Sequence, residues 1–194
     1  VFLCNPNNPT GRTVEKDTMK EAAALAADRK IYLIIDESFI EFTTAASVIG
    51  LTSDNPYLIV LRSMTKFYAL PGLRLGWGVF PPTATRALNA IREPWSVNAL
   101  AAAAGVAALN LTTRKERTHA LLAREKKRLE GGFETLGIDY TASRTNYYLL
   151  QSPHSPRIVR GLKKQNILVR DCSNFTGLDE SYMRVAVRMK RDNC

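Results

Sequence analysis

A lysine and two hydroxyl side chains stand close together in this chain and could bind an aldehyde that carries a phosphate group. Ser63, Thr65 and Lys66 come just after an apolar run at residues 57–61. A lysine amine forms Schiff bases with carbonyl compounds, and hydroxyl groups donate hydrogen bonds to phosphate oxygens. Taken alone, Ser-x-x-Lys is a weak signal, because most lysines are solvated surface residues.

An aspartate and an arginine at nearby positions suit the same chemistry. Asp36 follows the apolar run at residues 31–35, and a carboxylate at the carboxyl end of a buried parallel strand lies where open α/β sheets bind ligands. Arg74 comes eight residues after Lys66, behind a Pro-Gly turn, and its planar guanidinium can bind phosphate oxygens in pairs. An isolated aspartate at a strand end is more often a turn or helix cap, so the combination carries the prediction.

The elements that must position these residues alternate between strand and helix over the first part of the chain. The predicted strands are residues 1–4, 31–35, 57–61 and 73–80, and the predicted helices are residues 14–29, 83–92 and 96–109. This alternation predicts an α/β layer, and the uninterrupted apolar strand at residues 31–35 is typical of a sheet that is covered on both faces.

The second part of the chain has a different texture. A long amphipathic helix is predicted at residues 113–136, and it ends at Gly137. The elements after it are predicted strands at residues 145–151, 167–170 and 183–187 and a predicted helix at residues 156–165. We therefore predict two domains, residues 1–112 and residues 113–194, of which the second ends in a small α+β unit.

Composition narrows the functional classes. The chain has 194 residues, 45% of them hydrophobic, and a net charge of +9. It has no apolar run of about eighteen residues, so we predict no membrane span. The positive charge suits either nucleic acid or an anionic small molecule, although the densest basic stretch contains glutamates and is typical of a solvated helix face. Three scattered cysteines, the last of them Cys194, predict a reducing compartment such as the cytoplasm and no metal site.

Four ordered motifs together resemble those of the fold-type I pyridoxal 5′-phosphate (PLP) enzymes. They are NPNNPTG at residues 5–11, DESF at residues 36–39, SMTK at residues 63–66, and Arg74. The chain is most similar to the branch of this family that contains threonine-phosphate decarboxylase and histidinol-phosphate aminotransferase. The resemblance implies part of a large PLP-binding domain, with a mainly parallel sheet and flanking helices, followed by a small C-terminal α+β domain. It also implies a fragment that lacks the N-terminal part of the enzyme.

The resemblance implies a role for each matched residue. Asn8 bonds the ring hydroxyl of the cofactor and belongs to the substrate site, Asp36 pairs with the pyridinium nitrogen, and Lys66 binds PLP covalently. The residues that hold the cofactor phosphate are Ser63, Thr65 and Arg74. One departure concerns Phe39, because many relatives have a tyrosine there whose hydroxyl also reaches the ring oxygen.

Two arginines are implied to bind the substrate. The stretches around Trp95 and Arg170, and the one that contains Arg184, resemble threonine-phosphate decarboxylase more than the aminotransferase. The implied reaction is decarboxylation of L-threonine O-3-phosphate to (R)-1-amino-2-propanol phosphate in cobalamin biosynthesis, with a phosphorylated amino acid as substrate and a homodimer as the assembly. Without the resemblance, both arginines would be interpreted as surface residues at strand ends.

Two alternatives remain open at this point. A histidinol-phosphate aminotransferase would need the same Asp36, Lys66 and Arg74, although Phe39 and the segment around Trp95 argue against it. A basic nucleic-acid-binding module would instead show a stripe of positive charge and no cofactor.

Overall fold

The computed structural model of the chain describes residues 1–193, apart from the side chain of Thr112, and it divides into two compact units. The first unit contains Val1–Pro6 and Thr13–Lys115, and the second contains Asn7–Arg12 together with residues 116–193. The sequence placed the division between residues 112 and 113 and did not anticipate that residues 7–12 join the second unit. Cys194 lies outside the described residues.

The first unit is built on a four-stranded sheet in the order β1-β2-β3-β4. β1 (Phe2–Cys4), β2 (Leu33–Asp36) and β3 (Leu58–Ser63) are parallel, whereas β4 (Gly76–Val79) runs antiparallel to β3. The carboxyl ends of the three parallel strands therefore meet at one edge of the sheet.

One face of this sheet is covered by α1 (Lys16–Asp28). Met19 and Ala23 of the helix are buried, and Ala22 and Ala26 pack beside them, which is the spacing of one helical face. Their buried partners are Leu33, Ile35, Val48, Leu58 and Val60. The strands are buried only in part on the other side, because Phe2 is 78% exposed and Ile34 is half-buried.

Two further helices complete the first unit, α2 (Pro82–Ile91) and α3 (Ala99–Leu109). Asn98 begins α3 by accepting a hydrogen bond from the backbone N–H of Ala101 at 2.8 Å. Gly105 lets this helix approach Leu75 closely, since an added Cβ would lie 2.5 Å from the Leu75 side chain. The other side of α3 is apolar and exposed, at Leu100, Val106 and Leu109.

The second unit combines an antiparallel sheet with two helices. Its elements are α4 (Thr112–Thr135), which begins within the first unit, β5 (Asp139–Tyr140), β6 (Tyr147–Gln151), α5 (Ser155–Lys164), β7 (Arg170–Asp171) and β8 (Tyr182–Ala186). The strand order is β5-β6-β8-β7, and all neighbouring strands are antiparallel.

An aromatic cluster forms part of the core of the second unit. The rings of Phe133, Tyr140 and Tyr148 lie 5.6 Å apart, centroid to centroid, in all three pairs. The Tyr148 hydroxyl donates to the Glu130 carboxylate, and burial, followed by this bond, raises the pKa of Tyr148. Lys126 lies over the same ring, with its Nζ 5.4 Å from the centroid, and burial lowers the pKa of this amine.

The segment at residues 7–12 joins the second unit through close backbone packing. The Arg144 N–H donates to the carbonyl of Gly11 at 2.8 Å. Gly11 has a φ of +70°, and an added Cβ would lie 2.0 Å from the Ser143 hydroxyl oxygen. Only glycine fits here, because the position needs both a left-handed backbone and the absence of a side chain.

The predicted α/β layer and the predicted α+β unit are both present, and the differences from the sequence prediction concern the bounds of single strands. The predicted strand at residues 31–35 starts later, at Leu33, and Ile31 and Tyr32 are exposed. The predicted strand at residues 167–170 is instead β7, which begins at Arg170, and the short β5 was not predicted. Among the described residues, no helix is long and apolar enough to cross a bilayer.

Candidate active site

Asp36 lies at the carboxyl end of β2, in register with Leu61 of the neighbouring strand. Its Oδ1 accepts hydrogen bonds from the backbone N–H of Ser38, at 2.8 Å, and from the Ser38 hydroxyl. Both bonds use the same oxygen, so within residues 1–193 the second carboxylate oxygen is left to accept from a ligand. This half-buried carboxylate can therefore pair with a protonated ring nitrogen.

Ser63, Thr65 and Lys66 follow at the end of the adjacent strand β3. The hydroxyl oxygens of Ser63 and Thr65 lie 2.8 Å apart, and the Thr65 N–H donates to the Ser63 hydroxyl at 3.2 Å. Lys66 is exposed, and its Nζ lies 6.0 Å from the centroid of the Phe39 ring. The amine is therefore held beside the turn that follows Asp36.

Arg74 lies in the turn that connects the lysine segment to β4. It has a φ of +54°, and its Nη1 donates to the carbonyl of Pro71 at 2.8 Å. The turn is closed by the Met64 N–H, which donates to the Leu75 carbonyl at 3.1 Å. The exposed guanidinium forms no ion pair with any carboxylate of residues 1–193, so it can bind an anion.

A buried ion pair ties together the strand ends that carry these groups. Glu37 is 1% exposed and accepts hydrogen bonds from the Ser47 hydroxyl at 2.7 Å and the Val48 N–H at 2.9 Å. Arg62 of β3 places its Nε 2.9 Å from the Glu37 carboxylate, close but not aligned for a hydrogen bond. Its Nη1 bonds the Glu41 carboxylate at 2.6 Å. Glu37 directly follows Asp36, and Arg62 directly precedes Ser63. Their ion pair therefore links the two strand ends that carry the site residues.

In the second unit, the structure brings Asn8 and Arg184 into direct contact. The Arg184 Nη1 donates to the side-chain oxygen of Asn8. The guanidinium carbon lies 4.9 Å from the centroid of the Tyr147 ring, which is a cation–π contact. The Tyr147 hydroxyl donates to the backbone carbonyl of Asn7 at 2.9 Å. Within the NPNNPTG motif, Asn8 therefore bonds Arg184, and Asn7 bonds Tyr147.

Arg170 lies directly across from Arg184 in the pairing of β7 with β8. Directly opposed residues of an antiparallel pair project from the same face, so the two guanidinium groups share one surface. Arg170 donates to the Asn174 side-chain oxygen at 2.9 Å, and its guanidinium carbon lies 5.7 Å from the Phe175 centroid. In the described part of the chain neither arginine forms an ion pair, so both can bind anions.

Cys172 lies between these two arginines in the sequence, and it offers no reactive thiol. It is fully buried, and burial raises the pKa of its thiol. A thiol with a raised pKa stays protonated at neutral pH and is a poor nucleophile.

The groups at the strand ends of the first unit fit a pyridoxal phosphate. The amine of Lys66 suits the aldehyde, and the half-occupied carboxylate of Asp36 suits the ring nitrogen. The paired hydroxyls and the unpaired guanidinium that suit the phosphate belong to Ser63, Thr65 and Arg74. All five were predicted from the sequence, and four of them lie at or next to the carboxyl ends of β2 and β3. Arg74 lies farther along, in its own turn.

The predicted residues of the second unit also fall into one group. Asn8 contacts Arg184, and Arg170 is its cross-strand neighbour. The sequence reasoning missed Tyr147, for which no local signal exists, because its partners are distant in sequence. It also missed Glu37, although its position directly after Asp36, the last residue of β2, was a usable signal.

Comparison with known proteins places the chain among enzymes of two activities. Threonine-phosphate decarboxylase of Salmonella typhimurium is 41% identical over 197 aligned positions, which cover 100% of this chain and 54% of the relative. Histidinol-phosphate aminotransferase of Symbiobacterium thermophilum is 36% identical, and the alignment covers 100% of this chain and 53% of that relative. The crystal structure of histidinol-phosphate aminotransferase from Clostridium acetobutylicum matches with a TM-score of 0.94 at 32% identity, over 100% of this chain and 60% of that one.

The chain spans about half the length of the curated relatives it matches. The profile of the family described as aminotransferase class I and II matches residues 1–194. The predicted resemblance and the predicted fold-type I architecture are confirmed by this match and by the solved structure. The chain belongs to the aminotransferase class I and II family.

Proposed function

We propose that this chain is part of an enzyme that decarboxylates L-threonine O-3-phosphate to (R)-1-amino-2-propanol phosphate. The observation that carries the proposal is the pair formed by Arg170 and Arg184, two guanidinium groups on one face without carboxylate partners among residues 1–193. Such a pair suits a substrate with two anionic groups, a phosphate and a carboxylate. The 41% identity to a threonine-phosphate decarboxylase supports the same choice.

Pyridoxal 5′-phosphate is the cofactor of this family, and when bound it supplies an electron sink for charge that develops at the α-carbon of an amino acid. We propose that Lys66 binds it covalently and that Asp36 keeps its ring nitrogen protonated. The residues proposed to hold its phosphate are Ser63, Thr65 and Arg74. Asn8 is proposed to donate to the ring oxygen, since its side-chain oxygen already accepts from Arg184.

The chain's own residues decide which bond at the α-carbon breaks. We propose that Arg170 and Arg184 would hold the two anionic groups of the substrate and set the orientation of its carboxylate, which would favour loss of CO₂ over loss of the α-proton. The Lys66 amine then acts as the general acid that returns a proton to the α-carbon.

The test separates the two activities found among the relatives. The full-length gene product, purified with PLP, is incubated with O-phospho-L-threonine, and released CO₂ is compared with keto acid formed in the presence of 2-oxoglutarate. We expect CO₂ and aminopropanol phosphate without a need for 2-oxoglutarate. Keto-acid formation without release of CO₂ would overturn the decarboxylase proposal.

A histidinol-phosphate aminotransferase is the second candidate. Its support is the TM-score of 0.94 with an enzyme of that name and the 36% identity with another. Asp36, Lys66 and Arg74 serve both reactions and do not distinguish them. Phe39, which lacks a hydroxyl, favours the decarboxylase. Histidinol phosphate with 2-oxoglutarate is the substrate pair that tests this candidate.

We further propose that the enzyme is a cytoplasmic homodimer, and that residues 1–112 and 113–194 correspond to parts of its large and small domains. Light scattering on the full-length gene product tests the dimer, with a mass of two subunits as the expected result. We also propose that the net charge of +9 serves the anionic cofactor and substrate and that the chain binds no nucleic acid.

A further inference from the structure

We propose that Tyr147 is a positioning residue for substrate binding, which fixes Arg184 and the loop of Asn8 in one arrangement. The proposal deepens the proposed function and rests on it, because it takes Arg184 as the partner of the substrate carboxylate. Tyr147 itself is 3% exposed and acts through the groups that it holds.

The sheet explains why the tyrosine and the arginine meet. In the pairing of β6 with β8, Leu149 lies opposite Arg184, and Tyr147 lies opposite Ala186. Residues two apart on a strand project from the same face, so Tyr147 is the diagonal neighbour of Arg184 on that face. An aromatic ring reaches across this diagonal, and the guanidinium carbon lies 4.9 Å from its centroid.

The tyrosine hydroxyl closes a ring of contacts. It donates to the backbone carbonyl of Asn7 at 2.9 Å, and the next residue, Asn8, accepts from the guanidinium of Arg184. The Tyr147 ring in turn supports that guanidinium. Each group is therefore held from two sides, and a shift of any one must displace the others.

This arrangement determines what remains of Arg184 for a ligand. A guanidinium has five N–H donors in a fixed plane. One nitrogen bonds Asn8, and the guanidinium carbon lies over the Tyr147 ring, so these two contacts set the direction of the remaining N–H groups. A carboxylate then binds without the loss of side-chain freedom that a loose arginine would suffer on binding.

The next residue provides a matched control. Tyr148 projects from the opposite face of β6, where its ring packs on Phe133 and its hydroxyl donates to Glu130. Tyr147→Phe and Tyr148→Phe thus each remove one hydroxyl from one strand, but only the first removes a contact with the Asn8 loop.

The experiment measures dissociation constants by calorimetry on the cofactor-free, full-length gene product. The two ligands are O-phospho-L-threonine and 1-amino-2-propanol phosphate, which has the same phosphate but no carboxylate. For Tyr147→Leu we expect the affinity for phosphothreonine to fall by about 5- to 30-fold, the range for loss of a partly desolvated cation–π contact. The affinity for aminopropanol phosphate should change by less than about 2-fold, and Tyr148→Phe should change neither.

The loss of the hydroxyl alone gives a second, milder measurement in case Tyr147→Leu does not fold. Tyr147→Phe keeps the ring, and we expect it to weaken phosphothreonine binding by about 2- to 10-fold, as for loss of one neutral hydrogen bond. An equal loss for both ligands, or no loss in a folded variant at Tyr147, overturns the proposal.

Arg184→Ala separates this proposal from the one on which it rests. If Arg184→Ala weakens phosphothreonine binding and the variants at Tyr147 do not, only the positioning role is wrong. If the wild-type protein does not bind phosphothreonine, or Arg184→Ala has no effect, the proposed function is wrong and the positioning role fails with it.

Discussion

The two groups of functional side chains are assembled in different ways. In the first unit the contacts are local, because Asp36 bonds Ser38, Ser63 bonds Thr65, and Arg74 bonds Pro71. In the second unit, Arg170 also bonds a nearby residue, Asn174, but the contacts of Tyr147 and Arg184 join distant parts of the chain. Tyr147 bonds a residue 140 positions away, and Arg184 bonds one 176 positions away.

This difference indicates which substitutions can change activity without changing stability. A side chain that is bonded to its own turn can be replaced with little effect on the rest of the molecule. A side chain that bridges distant segments contributes to function and to the local fold together. We therefore expect substitutions in the first group to separate activity from stability, and substitutions of the bridging residues Tyr147 and Arg184 in the second group to couple them.

The largest effect on activity is expected from Lys66→Ala. Loss of its proton transfer alone should lower kcat by about 10²- to 10⁴-fold, and covalent attachment of the cofactor should disappear. Because Lys66 is exposed, the free energy of unfolding should change by less than about 0.5 kcal/mol. Steady-state kinetics, the visible absorbance of the purified protein and urea unfolding measure these effects, and Lys164→Ala, an exposed lysine on α5, is the control. A large loss of stability would contradict the separation of activity from folding.

The strand ends beneath this lysine should behave differently. Glu37→Gln leaves Arg62 short of a buried partner, and breaking a buried ion pair costs about 3–5 kcal/mol. We expect a loss near the lower end of that range in urea unfolding, because Glu41 remains. Glu41→Gln is the control: this carboxylate is more exposed, and its loss should cost about 1 kcal/mol or less. Equal losses for the two variants would show that burial of Glu37 does not matter.

The arginine pair should affect substrate affinity at a more moderate level. Arg184→Ala and Arg170→Ala each remove a charged hydrogen-bonding group, worth about 1.5–3 kcal/mol, or roughly 10- to 150-fold in KM for phosphothreonine. Only Arg184→Ala should also lower the free energy of unfolding, since it alone releases the Asn8 loop. Arg184→Lys should not restore affinity, because an ammonium group lacks the planar fork. An equal effect of both alanine variants on stability would remove the distinction.

The smallest effect concerns acid pH and the second unit alone. The hydrogen bond from Arg124, with further help from Asn193 and Arg128, holds the pKa of Glu125 below its ordinary value of 4.5. A carboxyl group with a lowered pKa in the folded state stabilises the protein above its unfolded pKa and loses this contribution as the pH falls through the folded pKa. The melting temperature of the wild type should therefore fall as the pH drops below about 4.5, and Glu125→Gln should make this fall smaller. If the variant loses stability at acid pH as much as the wild type does, other carboxylates cause the effect.

The same contrast explains what the sequence could reveal. The first part of β3 is an apolar run, and α1 repeats its apolar residues at helical spacing, so local patterns were sufficient to predict these elements. The candidate site residues of the first unit follow the strands directly, and their roles came from the combination of motifs. Arg170 and Arg184 came only from a resemblance, because an arginine on a strand has no distinctive local pattern. Tyr147 was missed for a physical reason: its role depends on strand register and on a loop from the other end of the chain.

The placement of residues 7–12 has a consequence for dissecting the protein. A truncated protein that starts at the long helix would omit the hexapeptide whose glycine packs against Ser143 and whose carbonyl accepts the Tyr147 hydroxyl. In such a protein β6 would keep both neighbouring strands and lose its contact with residues 7–12. Modular excision, domain-by-domain refolding and fusion of a tag between residues 6 and 13 should all be poorly tolerated, whereas adding the hexapeptide as a separate synthetic peptide offers a route to complementation.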